Sequence, residues 1–204
     1  AISDVVFSPA VKALQERFGS RTAYARREEK GGWSNELTDE LAQFIAARDS
    51  FYLATASASG QPYIQHRGGP PGFLAVIDRR TLAFADFSGN LQYVSIGNLS
   101  ENDRVHLFLM DYANRRRVKI WGRARTVIDD AALMQKVAMA GYTGRVERVF
   151  VITVEAWDIN CSQHIPVRFG RDDVRAATAH LQTRIRDLES ALAAAGQAIP
   201  IPAA

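Results

Sequence analysis

Between residues 51 and 159 turn signals cut the chain into short apolar stretches, and that spacing leaves few folds open to it. Residues 51–56 (FYLATA) and 61–66 (QPYIQH) flank Ser57-Ala58-Ser59-Gly60, which reads as a hairpin turn. Residues 73–77 (FLAVI) and 82–86 (LAFAD) flank Asp78 to Thr81 and repeat the pattern. Residues 104–110 and 117–128 predict a third hairpin around Asp111 to Arg116. Residues 147–159 predict one more strand, with Val149, Val151 and Thr153 alternating against Phe150, Ile152 and Val154. Short strands joined mostly as hairpins favour a closed antiparallel barrel over a parallel sheet, whose neighbours need long crossovers. Closure would also remove exposed edges.

Helices flank this run. Residues 8–18 carry Ser8 as a cap and Pro9 at the first helical position. Residues 20–36 are polar, contain Gly31-Gly32, and read as a connection. Residues 38–48 predict a helix capped by Thr38, with Leu41, Phe44 and Ile45 as its buried face. Short helices are expected at 91–97 and 130–139. In residues 172–195, Val174, Leu181 and Leu188 recur every seven, and Ile185 and Leu192 fall four after Leu181 and Leu188, an a/d-like seam. That helix is expected either to lie on its own barrel or dimer mate, or to zip to a partner chain. The expected organisation is an N-terminal helical extension (1–37), a barrel domain (38–170), and an amphipathic helix with a tail (171–204).

Composition narrows the function classes. No apolar run approaches the ~20 residues needed to span a bilayer. The first residues lack a basic segment followed by an apolar one, and so do not read as a signal peptide. Cys161 is the only cysteine, which leaves no internal disulfide and favours a cytoplasmic location. No metal site is expected. The cluster Arg115, Arg116, Arg117, Lys119, Arg123 and Arg125 suits an anion, a nucleic acid, or a solvated edge. Only Trp121 interrupts it as a stacking platform, so nucleic acid ranks last.

Four segments carry candidate chemistry. Gln65-His66-Arg67-Gly68-Gly69-Pro70-Pro71-Gly72 ends a strand in a stiff loop, with Arg67 placed to hold a phosphate. Asp86-Phe87-Ser88-Gly89-Asn90-Leu91-Gln92 leads into a helix start, where free N–H groups suit an anion. Arg117 and Lys119 alternate with Val118 and Ile120 and therefore share one strand face, and Gly122 suggests a bulge. The run from Trp157 to His164 offers an indole that could wall a flat ligand, with Asn160 and Cys161 beside it. His66, Cys161 and His164 are the reactive candidates, each weighed against a packing role.

Taken together, these motifs resemble the pyridoxamine 5'-phosphate oxidase-like FMN-binding split barrels, in the branch described as predicted flavin-nucleotide-binding proteins. The likeness covers roughly residues 38–165 and rests on the HRGGP loop, the stretch from Gly89 to Asn98 and the WDINC segment. It implies a mainly β fold with flanking helices, an antiparallel split barrel, and a homodimer with flavin mononucleotide (FMN) between subunits. It places Arg67, Asn90 and Gln92 on the phosphate and Asp86 beside the ring. Arg117 or Lys119 falls near the ring, and Trp157 on the partner side of the cleft. Gln65, His66, Gly68, Phe87, Ser95 and Asn160 complete the implied cofactor set. The chain departs from the family where Gly68 to Gly72 replace an Arg-x-x-x-x-Lys run and Leu91 replaces a basic residue. Oxidation of pyridoxamine phosphate itself is therefore not expected. The expected function is an FMN-dependent oxidoreductase acting on a small molecule. The alternatives are a non-catalytic flavin-binding sensor or a barrel that takes haem or a deazaflavin.

Overall fold

The computed structural model describes residues 1–89, 91–139, 146–159 and 162–198. Its strands follow the alternation of the sequence. They are β1 (Ser50–Ala56), β2 (Pro62–Gly68), β3 (Ala75–Asp78), β4 (Thr81–Phe87), β5 (Arg104–Asp111), β6 (Arg116–Val127) and β7 (Val146–Ile159). They form one antiparallel sheet in the order β2-β1-β5-β6-β7-β4-β3.

Side-chain contacts show that the sheet curls. Phe51 on β1 and Phe84 on β4 are four strand steps apart. In a flat sheet that is roughly 19 Å, yet their rings meet edge-on at 5.3 Å. The inner face carries Phe51, Leu53, Leu82, Phe84, Leu107, Leu109, Val118, Ile120, Phe150 and Ile152, all essentially without solvent contact. Among the described residues no pairing joins β2 to β3, so the expected full closure is replaced by a split with two edge strands. The fold is mainly β with flanking helices, the architecture of a split barrel.

Helix α3 (Asp39–Ala46) adds Leu41, Phe44 and Ile45 to this core, and the Thr38 hydroxyl accepts from the Leu41 N–H at 3.2 Å to start it. A smaller cluster of Ala83, Ala85, Val137, Val149 and Val151 lies on the opposite face of β4 and β7, under α5 (Ala131–Val137). Strand β4 is thereby buried on both faces.

The N-terminal residues are more ordered than their polarity suggests. A 3-10 turn (Ile2–Val5) and α1 (Pro9–Arg17) precede α2 (Arg21–Glu29), which occupies part of the segment read as a connection. That helix has no apolar stripe. It is held by polar contacts, with the Arg21 guanidinium forking onto Glu28 at 2.6 and 3.1 Å and reaching Gln15 at 2.8 Å. Residues Ala1–Asp111 and Arg115–Ile165 make one compact unit, so the N-terminal residues belong with the strands. Tyr112–Asn114 and Pro166–Ala204 make a second, built on the 24-residue helix α6 (Arg171–Ala194).

Helix α4 (Val94–Glu101) starts later than the expected 91–97, because Leu91 and Tyr93 adopt left-handed backbone angles (φ 60° and 54°). The bulge expected at Gly122 is present, with the β6–β7 register shifting between Trp121 and Gly122. A Cβ there would collide with the Thr153 carbonyl. Gly122→Ala is therefore expected to lower the unfolding free energy by about 1–3 kcal/mol. Gly97→Ala, in helix α4 with nothing near its Cβ position, should raise it by about 0.5–1 kcal/mol. Urea unfolding midpoints of the two variants check both signs.

Candidate functional site

Strand parity decides which polar groups enter the barrel. Across the β1–β2 register, Phe51 opposes Arg67, Leu53 opposes Gln65 and Thr55 opposes Tyr63. Phe51 and Leu53 belong to the core, so Tyr63, Gln65 and Arg67 point inward along the open edge. On β4 the inward stripe Leu82, Phe84 continues to Asp86, and across the β4–β7 register Asp86 opposes Arg148.

These groups meet across the split. Arg67 Nη1 donates to Asp86 Oδ1 at 2.6 Å, and Arg148 Nη1 lies 3.7 Å from Asp86 Oδ2. Arg148 also donates to Glu147 at 2.9 Å. The Arg67 guanidinium lies over the stacked rings of Phe84 and Phe150, 5.6 and 5.2 Å from their centroids. Its Nε is buried without a hydrogen-bond partner. In a low-dielectric setting an unsatisfied donor is costly, which makes this edge of the guanidinium a ready place for an acceptor.

Helix α4 begins at the same place. Tyr93 at its N-cap makes no side-chain cap. The helix is moored by Asn98 Nδ2 donating to Thr55 Oγ1 at 2.9 Å and Ser95 Oγ donating to Gln65 Oε1 at 3.0 Å. A cavity of about 260 Å³ opens here, lined by Gln65, Arg67, Asp86, Gln92, Ser95 and Arg148, with Phe87 on its wall. Two guanidiniums and an uncapped helix start thus converge on one cavity, an arrangement suited to an anion.

The remaining candidates lie elsewhere. Gly68 ends β2 outside the cavity lining. His66 is exposed on the outer face, 5.7 Å edge-on to Tyr52. The register continues that outer row from His66 through Tyr52, Phe108 and Lys119 to Asp158. Arg117 and Lys119 do share one face, but it is this outer one. Lys119 lines a second cavity of about 280 Å³ with Phe7, Tyr24, Arg27 and Trp33, where Arg27 donates to Asp158 at 2.6 Å. Burial pushes the Lys119 ammonium below its ordinary pKa, with neighbouring charges adding smaller effects of both signs. The Nε of Arg117 is buried without a partner. Trp157 packs against the core, and its indole N–H donates to the Glu36 carbonyl at 2.9 Å. His164 is exposed at a left-handed φ of 64°. Asn90, Asn160 and Cys161 lie outside the described residues. Among the described residues no three His, Cys, Asp or Glu side chains gather as a metal site, and no helix is long and apolar enough to cross a membrane.

Two residues escaped the sequence reading. In the sequence Arg148 reads only as part of a strand, since nothing local marks it as the partner of Asp86. His106 on β5 stacks on Trp121 at 4.8 Å, its cross-strand partner. Trp121 in turn meets Trp33 at 5.6 Å, and Trp33 meets Phe7 at 5.3 Å. The N-terminal segment thus lays an aromatic layer over the outer face of β5 and β6.

A family model described as pyridoxamine 5'-phosphate oxidase matches residues 37–161. No curated protein matches the chain. Among solved structures, a variant of HupZ from Group A Streptococcus is 19% identical with a TM-score of 0.50, covering 61% of this chain and 99% of its own. A putative pyridoxamine 5'-phosphate oxidase from Lactobacillus delbrueckii is 21% identical with a TM-score of 0.48, covering 61% of this chain and 94% of its own. At such identities the likeness is one of fold.

The environment of His106 has a consequence for stability. Burial first, and the Lys119 charge second, push its pKa from 6.5 down to about 4. On acidification the unfolded chain takes up this proton before the folded one does. The contribution is therefore complete above pH 6.5 and is lost as the pH falls toward 4. His106→Phe should lose less stability than the wild type between pH 7 and about 5, as measured by urea unfolding at each pH. Equal losses would contradict the assignment.

Proposed function

Because this chain belongs to the pyridoxamine 5'-phosphate oxidase family, we propose that it binds FMN. The phosphate enters the cavity between β2, β4 and the start of α4, and the protein serves as an oxidoreductase for a small molecule. The observation that carries this reading is the meeting of Arg67, Arg148 and the uncapped start of α4 on one cavity. The residues present fit a phosphate: the Arg67 Nε has no other acceptor, and Gln92 and Ser95 bring polar groups to the same wall. Bound flavin supplies the redox chemistry, which the chain positions and tunes.

The cavity size supports a second subunit. At about 260 Å³ it falls below the range of roughly 300–1,000 Å³ common for ligand pockets. It has room for a phosphate and the start of a sugar chain, while the ring system would lie beyond it. On this reading the outer face of another copy covers the ring, bringing Lys119 and Arg117 toward it. A cation there favours negative charge on the ring, and Asp86 keeps Arg67 oriented until a phosphate shares it. The cytoplasm is the compartment proposed for this chemistry.

A phosphate-specific test separates this proposal from its rivals. FMN should quench and shift its visible absorption on binding the purified protein, and riboflavin, which lacks the phosphate, should bind more weakly. Arg67→Ala should weaken FMN by about ten- to a hundredfold, the scale of one or two charge-assisted hydrogen bonds, and leave riboflavin unchanged. Equal losses for both ligands would place the phosphate elsewhere. Uptake of haem or a deazaflavin in place of FMN would overturn the cofactor. FMN binding without reduction by a nicotinamide donor or turnover would leave a carrier or sensor.

A further inference from the structure

The C-terminal helix carries a seam that the flavin reading does not use. In α6, Val174, Leu181 and Leu188 fall on one heptad position, and Thr178, Ile185 and Leu192 on the one four residues later. Val174, Leu181, Ile185 and Leu188 are 49%, 53%, 54% and 47% exposed. The polar member of the stripe is satisfied within the helix, since the Thr178 hydroxyl donates to the Val174 carbonyl at 2.9 Å. Nothing on the seam therefore resists burial.

We propose that α6 pairs in parallel with α6 of a second copy of this chain as a short two-stranded coiled coil. Two observations select this occupant. The β-branched Ile185 sits at the a position between Leu181 and Leu188 at d, the combination that favours two parallel strands. Arg184 and Glu189 occupy the flanking g and e positions. They are five residues apart, so they lie on opposite flanks of one helix and cannot meet within it. Neither makes an ion pair among the described residues. In a parallel pair, Arg184 of each helix reaches Glu189 of the other, giving two interchain bridges related by the two-fold axis. An antiparallel pair would match like positions and lose both. The seam spans three heptads, too little to hold an isolated helix, so the pairing acts within the full chain. It stands whether or not the barrel binds flavin.

Disulfide trapping on the full-length protein tests this directly. In a Cys161→Ser background, Leu188→Cys places a thiol at d, where parallel strands bring the two copies together. Thr183→Cys places one on the far side of the helix. Mild oxidation of dilute protein should link most chains through position 188 and few through 183, as read on non-reducing gels. Adding Arg184→Glu to the Leu188→Cys protein should cut the yield severalfold, and adding Glu189→Arg as well should restore it. No link at 188, equal linking at 183, or failure of the charge swap to restore the yield would each overturn the proposal.

Discussion

The ion pair between Arg67 and Asp86 does what no backbone pairing among the described residues does. The two residues belong to β2 and β4, five strand steps apart along the sheet, and are joined at 2.6 Å. The curl that brings Phe51 onto Phe84 brings these side chains together at the rim. Both are largely shielded from water, so the pair is held by geometry and by Arg148 behind Asp86, and removing one partner would leave a charge stranded over the Phe84–Phe150 stack. The same contact shapes the cavity: it fixes one edge of the Arg67 guanidinium on Asp86 and leaves another without an acceptor.

This dual role explains the character of the site. A cavity lined by two guanidiniums alone would be strongly positive and expensive to assemble. Here Asp86 and Glu147 offset that charge, and the start of α4 adds backbone N–H groups with no charge of their own. Positioning therefore comes from the barrel, which leaves a donor of the Arg67 guanidinium at the rim unused.

The strands were legible because each alternates, and the hairpin turns were legible because Gly60 and the Asp78–Thr81 loop interrupt that alternation. Gln65, Arg67, Asp86 and Ser95, which line one cavity, were legible as neighbours because two short motifs end at the same rim. What the sequence does not hold is parity. Arg117 and Lys119 were rightly placed on a common face, but only the pairing of Val118 and Ile120 with core strands decides that their face is the outer one. Arg148 and His106 were missed for the related reason that their partners, Asp86 and Trp121, are set by register across distant strands. Helix α2 was missed because it has no apolar stripe and is fixed by Arg21 forking onto Glu28, a contact without a periodic signature.

The fastening of the N-terminal segment bears on the order in which the molecule is assembled. Trp157 donates hydrogen bonds to the carbonyls of residues 34 and 36, and Arg27 reaches Asp158 from 131 positions away. Closing a loop of that length costs roughly 4 kcal/mol of chain entropy, whereas each hairpin closes over a handful of residues. The last strand is also the last to be synthesised. Residues 27–36 are thus made well before the strand they dock on, and their docking marks a barrel whose seventh strand is already in register.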